Sequence, residues 1–215
     1  DANMMDMYLA LITGAEVHII EEGIRLDLMA LNQYIERQGI THGFMTTQIG
    51  RAFATSMKND ALRNLIMGGE RLAPFKPEGS TNYYNIYGPT ECTVNVTAYP
   101  LREYEDEFPI GKAVSNVKLY VLDGMGRRVP VGVPGELCIA GYQVSRGYLN
   151  RPEKTAEVYT ANPFCNLEGY GRIYHTGDVV RFLPDGNIQF IGRRDGQVKV
   201  RGFRIELTEV EEVIR

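Results

Sequence analysis

The chain has 215 residues, 44% of them hydrophobic, and a formal net charge of -4. This is enough apolar material for a sizeable core in one domain or two, and the acidic balance argues against a nucleic-acid binder or a binder of anionic membranes. No apolar run reaches the roughly 20 residues of a membrane helix, and with Asp6 inside the opening Met4 to Thr13 stretch no signal peptide is expected.

The first part reads as alternating helix and strand. Met4 to Thr13 is a helical stretch stopping at Gly14, and Val17 to Ile20 is a short apolar strand. Leu26 to Gln38 places Leu26, Leu28, Met29, Leu31 and Ile35 at helical spacing and ends at Gly39. Ile40 to Met45 and Asn64 to Met67 read as buried strands, with a helix over Ile49 to Met57 between them. Such alternation predicts a mostly parallel sheet covered by helices.

The character changes after about Thr97. Val117 to Leu122 alternates and meets the turn Asp123-Gly124; Glu136 to Ala140 is entered through Pro134-Gly135. Pro152 to Tyr159 reads as a short helix with proline in its first turn. Ile173 to Phe182 and Asn187 to Ile191 flank Pro184-Asp185-Gly186, a hairpin signal. This half predicts an antiparallel sheet or barrel. Near Asp195 the pattern changes again. Gln197 to Val200 and Phe203 to Ile205 are short strands, and Thr208 with Glu211 forms a capping box for a helix carrying Val210, Val213 and Ile214.

Cys92, Cys138 and Cys165 are odd in number and lack C-x-x-C spacing, which reads as three free thiols in a reducing cytoplasm. His18, His42 and His175 are equally scattered, so no zinc site is assigned. Glu136 and Arg146 read as a partly buried structural pair.

Asn85-Ile86-Tyr87-Gly88-Pro89-Thr90-Glu91 follows a buried strand. A ring that stacks on a base, an amide that reads its edge, a glycine that admits phosphate and a carboxylate for Mg²⁺ make a plausible nucleotide loop. Read alone, it is equally a Gly-Pro turn capping a strand. It is followed in order by Gly135-Glu136-Leu137-Cys138-Ile139-Ala140-Gly141, by Ser145-Arg146-Gly147-Tyr148, by Arg151-Pro152-Glu153-Lys154-Thr155-Ala156-Glu157, by Tyr174-His175-Thr176-Gly177-Asp178, and by the run from Gly192 to Leu207. This ordered set covers essentially the whole chain and resembles the adenylate-forming superfamily of acyl-CoA synthetases, luciferases and peptide-synthetase adenylation domains. The amino-acid-activating branch matches best.

The resemblance implies an α/β fold in parts: an αβ portion with pocket and nucleotide loop over 1–97, a β-rich, barrel-like subdomain with the ribose site over 98–194, and a hinge with the start of a small C-terminal α+β domain over 195–215. It implies ATP and Mg²⁺, a hydrophobic amino-acid substrate, a peptidyl carrier domain whose phosphopantetheine thiol receives the product, other synthetase domains as partners, and a cytoplasmic location. By similarity Tyr87 stacks on adenine, Asn85 bonds its exocyclic amine, Thr90 touches phosphate and Glu91 holds Mg²⁺. Asp178 takes the ribose hydroxyls, Arg193 lies by the ribose and Phe190 lies beneath the nucleotide. Asp1 pairs with the substrate ammonium; Ala2, Met5, Phe44, Ile66, Gly68, Ile86, Val94 and Asn95 line the pocket. Asp195 is the hinge. Read without the resemblance, Asp1 is equally an N-cap, Asp178 a turn residue, Glu91 a solvated loop charge and Asp195-Gly196 an ordinary turn. Arg193, Arg194, Lys199, Arg201 and Arg204 equally make a solvated strand face.

No phosphate loop of the G-x-x-x-x-G-K-[ST] kind is found; Gly111-Lys112 has no glycine partner at the right spacing. The family's phosphate loop and its late catalytic lysine fall outside this chain, and Lys199 is not that lysine. The chain alone is therefore expected not to make aminoacyl-adenylate at a useful rate. Two other readings stand beside this one: an acyl- or aryl-acid CoA ligase of the same superfamily, against which Asp1 speaks, and a non-catalytic binding module.

Overall fold

The structure is a computed structural model that describes residues 2–195, 198–200, 203–205 and 213–214. The chain divides into two compact units. Residues 1–86 with 99–108 form the first, and residues 87–98 with 109–215 form the second.

The first unit is the expected helix-covered sheet. Helices α1 (Ala2–Thr13), α2 (Glu22–Arg25), α3 (Leu28–Gln38) and α4 (Thr47–Ser56) accompany strands β1 (His42–Thr46), β2 (Asn64–Gly68), β3 (Asn82–Tyr87, its last residue counted in the second unit) and β4 (Thr97–Leu101, its first two residues counted in the second unit), ordered β1-β2-β3-β4. The first three are parallel, with Phe44 opposite Ile66, Ile66 opposite Tyr84 and Gly68 opposite Ile86. Because side chains alternate across a strand, Leu65, Met67 and Tyr83 turn to one face. There they pack with Leu31 and Ile35 of α3 and Phe53 of α4. Helix α3 starts later than its apolar spacing predicts. Asp27 is its cap, and its Oδ1 accepts the Met29 and Ala30 amides at 3.0 Å each.

Val17 to Ile20 departs from the sequence reading and is not a strand. No neighbour pairs with it among the described residues, and Ile19 lies 88% exposed, so apolar character without a partner strand does not suffice. Helix α1 forms as expected but buries no residue.

In the second unit, β5 (Lys112–Ala113) pairs with the first two residues of β4. Strands β6 (Val117–Leu122), β7 (Gly135–Gly141), β9 (Arg172–Phe182) and β10 (Ile188–Arg193) form an antiparallel sheet ordered β10-β9-β7-β6, and β8 (Tyr159–Ala161) pairs with β9 after α5 (Pro152–Val158). Leu137, Ile139, Val180 and Ile188 are fully buried in its core. Of the expected antiparallel sheet or barrel, the structure has the sheet: β6 and β10 end the strand order, and it does not close among the described residues. The hairpin between β9 and β10 forms where Asp185 predicts it. Its Oδ1 accepts the Asn187 amide at 3.0 Å, and the Leu183 amide donates to the Asn187 carbonyl at 2.8 Å. Strands β11 (Val198–Val200) and β12 (Phe203–Ile205) pair antiparallel. The capping box at Thr208 and Glu211 lies outside the described residues. No helix among the described residues is long and apolar enough to cross a membrane.

Candidate functional site

The site in the second unit is built on a break in the ladder between β7 and β9. Glu136 lies opposite Val179 and Cys138 opposite His175, so β9 carries surplus residues between these two pairs. The surplus bulges at Thr176-Gly177-Asp178, where Gly177 adopts a φ of 72° that disfavours any residue with a Cβ. The Thr176 hydroxyl ties the bulge down: it donates to the Leu137 carbonyl at 2.8 Å and accepts the Asp178 amide at 3.0 Å. A second irregularity, between Phe190 and Gly192 of β10, brings Arg193 opposite Asp178.

Asp178 is buried, and its carboxylate gathers the site. One oxygen accepts the Tyr87 phenol. The other accepts Arg193 Nη1 at 2.8 Å. Arg193 in turn grips Asp195 with a fork, Nε to Oδ1 at 2.8 Å and Nη2 to Oδ2 at 2.6 Å. Burial, followed by the Asp178 charge, pushes the Tyr87 phenol well above its ordinary value, so it stays a donor. Burial alone would lower Arg193; the carboxylates of Asp195 and Asp178 outweigh it and raise its pKa. The Phe190 and Tyr87 rings lie 6.5 Å apart with planes tilted by 38°. A carboxylate has about four acceptor positions, which lets one group gather several donors at a single point.

Glu91 sits in a 3-10 turn, Thr90–Cys92, that follows β3. The loop is short because Gly88 lies against the segment returning from the turn, and the Val96 amide donates to the Tyr87 carbonyl at 2.8 Å. Glu91 is buried, and its Oε1 accepts the Tyr148 hydroxyl at 2.7 Å. Burial, then Glu91, raises the Tyr148 phenol to about 12. Tyr148 is itself positioned by α5: its amide donates to Thr155 Oγ1 at 2.9 Å. The Ser145 amide donates to the Glu91 carbonyl at 2.8 Å. Thr90 is exposed at the start of the turn.

The structure thus brings Tyr87, Asp178, Phe190, Arg193 and Asp195 together and adds Thr176 and Tyr148, to which the sequence reading gave no role. Both belong to conspicuous sequence blocks, Thr176-Gly177-Asp178 and Ser145-Arg146-Gly147-Tyr148. Adjacency to a named residue was the available signal for Thr176; nothing in sequence points Tyr148 at Glu91. Asn85 is buried in the first unit. Of the expected pocket residues, Phe44, Ile66, Gly68 and Ile86 share one face of neighbouring strands, opposite the face that carries Leu65 and Met67. Ala2 and Met5 are half-buried on α1, and Val94 and Asn95 belong to the second unit. Asp1, and Gly196 beside the expected hinge, lie outside the described residues. One pairing is corrected: Glu136 engages His175 and Arg194, each at 3.3 Å, rather than Arg146, because His175 lies on β9 across from β7 and the Arg194 amide, just past β10, donates to the Gly177 carbonyl of the bulge at 2.9 Å.

Comparison with known proteins gives concordant matches. The family described as AMP-binding enzyme matches residues 1–149. Bacitracin synthase 1 of Bacillus licheniformis is 46% identical over 211 residues, 98% of this chain and 4% of that protein. Surfactin synthase subunit 2 of Bacillus subtilis (strain 168) is 45% identical over 212 residues, 98% of this chain and 6% of that protein. A solved NRPS protein containing adenylation and PCP domains, bound to a vinylsulfonamide inhibitor, superposes with a TM-score of 0.89 at 28% identity, over 100% of this chain and 39% of that one. The chain therefore spans a small part of the curated relatives it matches.

Proposed function

This chain belongs to the family of AMP-binding enzymes, and on that premise we propose that it is the substrate-selecting and nucleotide-binding portion of the adenylation domain of a non-ribosomal peptide synthetase. The proposed reaction of the whole protein joins an amino-acid carboxylate to the α-phosphate of ATP. It then loads the aminoacyl group on the phosphopantetheine thiol of a carrier domain. The observation that carries the reading is the Tyr87–Asp178–Arg193 cluster, a buried carboxylate between an aromatic hydroxyl and a guanidinium.

In this reading residues 1–97 carry the amino-acid pocket and nucleotide loop, 98–194 the ribose site, and 195–215 the hinge and the start of a small domain. Asp178 accepts the ribose hydroxyls, Tyr87 and Phe190 flank the base, Asn85 bonds its amine, and Arg193 holds Asp178 in place. Glu91, a buried oxygen donor fixed by Tyr148, suits a hard divalent cation in donor type. Mg²⁺ held there with Thr90 nearby would offset phosphate charge. Asp1 pairs with the substrate ammonium.

Met5, Phe44, Ile66, Ile86 and Val94 give the proposed pocket apolar walls, with Ala2 and Gly68 adding room and Asn95 the one polar group. A branched aliphatic amino acid is the expected substrate and Phe the second choice. One methylene is worth roughly 1–3 kcal/mol of discrimination, so Leu, Ile and Val should all support pyrophosphate exchange by the intact synthetase. Preference for Asp, Glu, Lys or Arg would refute the pocket assignment.

The fork between Arg193 and Asp195 ties the proposed hinge to the ribose carboxylate. Asp195→Pro fixes one φ near -65° and restricts Arg194. In the intact synthetase it should impair one half-reaction more than the other; equal loss of adenylation and thiolation would make Asp195 purely structural.

A further inference from the structure

Glu136, Cys138 and His175 converge where β7 meets the β9 bulge, and the proposed function gives them no role. Glu136 and Cys138 are two apart on β7, and His175 lies directly opposite Cys138 on β9. Their ligand atoms all fall within 4.8 Å of one another. His175 Nδ1 is 3.3 Å from Cys138 Sγ and 3.3 Å from Glu136 Oε2. The sequence reading assigned no zinc site because the histidines and cysteines are scattered; the sheet closes a gap of 37 residues between Cys138 and His175.

We propose that Glu136 Oε2, Cys138 Sγ and His175 Nδ1 form a three-ligand site for a thiophilic divalent transition cation of the Zn²⁺ class. Both separations from His175 Nδ1, 3.3 Å each, suit such a cation, and the remaining pair lies within 4.8 Å. Zn–N, Zn–O and Zn–S bonds of about 2.0–2.3 Å in a tetrahedron set ligand atoms roughly 3.3–3.7 Å apart. The outer contacts are those that such a site needs. His175 Nε2 lies 3.1 Å from the Thr160 hydroxyl, which can accept an N–H there once Nδ1 gives its lone pair to the cation in place of its hydrogen bond to Glu136. Glu136 Oε1 accepts the Gly177 amide at 3.0 Å, which leaves Oε2 for the cation. The His175 side chain keeps 25% of its surface in solvent, which gives a water the fourth position.

Binding breaks the Cys138 S–H bond and forms a sulfur–metal bond; the proton leaves to solvent, and no oxidant or reductant is needed. Arg194 Nη1, 3.3 Å from Glu136 Oε2 on a side chain 58% exposed, is the competitor that must swing away.

The test is titration of the reduced, chelator-treated chain with Co²⁺, followed by competition with Zn²⁺. One equivalent of Co²⁺ should give a thiolate-to-cobalt charge-transfer band that Zn²⁺ abolishes. The band should vanish in Cys138→Ser and in His175→Ala and persist in Cys165→Ser. Thr160→Val should weaken binding about 10- to 100-fold, and Arg194→Gln should tighten it by up to about fivefold. If Cys138→Ser does not fold, His175→Ala, at a partly exposed position, decides. Absence of the band in the parent chain, or its survival in His175→Ala, overturns the proposal and leaves a hydrogen-bonded cluster only.

Discussion

Replacing Asp178 by Ala in the intact synthetase should weaken ATP binding about 10- to 100-fold. A charge-assisted hydrogen bond is worth about 1.5–3 kcal/mol, and here the same carboxylate also holds Tyr87 and Arg193. The loss therefore combines direct contacts with misplacement of the ring proposed to flank the base. Arg193 keeps Asp195 and stays anchored, whereas the Tyr87 phenol loses a buried acceptor, which costs about 1–3 kcal/mol of stability. Asp178→Asn, which keeps one acceptor oxygen, should fall between the two in ATP affinity. Calorimetric titration with ATP beside thermal unfolding separates the effects. A lowered Tm with unchanged ATP affinity would make Asp178 a structural residue and remove the main support for the nucleotide reading.

Local signals in the sequence predict local structure well. The β9–β10 hairpin forms at Pro184-Asp185-Gly186 because the Asp185 side chain bonds its own turn, and α5 starts at Pro152 because the first helical position needs no amide donor. Errors arise where a tertiary partner decides. Val17 to Ile20 has strand composition and no strand to pair with. The start of α3 is set by Asp27 bonding two amides, not by the apolar spacing that runs back to Leu26. At the site, the resemblance named Tyr87, Asp178, Arg193 and Asp195, and the structure gathers them. It could not reveal the two ladder irregularities that turn Asp178 and Arg193 toward each other, because strict alternation has no symbol for a bulge. Tyr148 and the Glu136–Cys138–His175 cluster were hidden for a related reason. Their contacts span 57 and 37 residues respectively, and no spacing rule reaches that far.

Gly88→Ala should cost this fold more than its one methyl group suggests. A Cβ at that position would stand 2.0 Å from the Val94 carbonyl oxygen and 2.5 Å from Asn95 Cα. Both neighbours are backbone, so no rotamer change relieves the clash. The segment must move although the Val96 amide pins it to Tyr87 at 2.8 Å. Overpacking of this kind costs about 1–3 kcal/mol, and an immovable neighbour places it at the upper end. For a chain of this size that lowers Tm by about 5–10 °C. The same displacement shifts the 3-10 turn, so the Glu91–Tyr148 bond should also loosen and Mg²⁺-dependent pyrophosphate exchange by the intact synthetase should fall with it. Gly124→Ala is the control: a Cβ there meets nothing within 4 Å, and its Tm should stay within about 2 °C of the parent. Equal melting temperatures for the two variants would mean that the loop tolerates a side chain at Gly88, and that the tight return from Thr90 to Val96 does not fix Glu91.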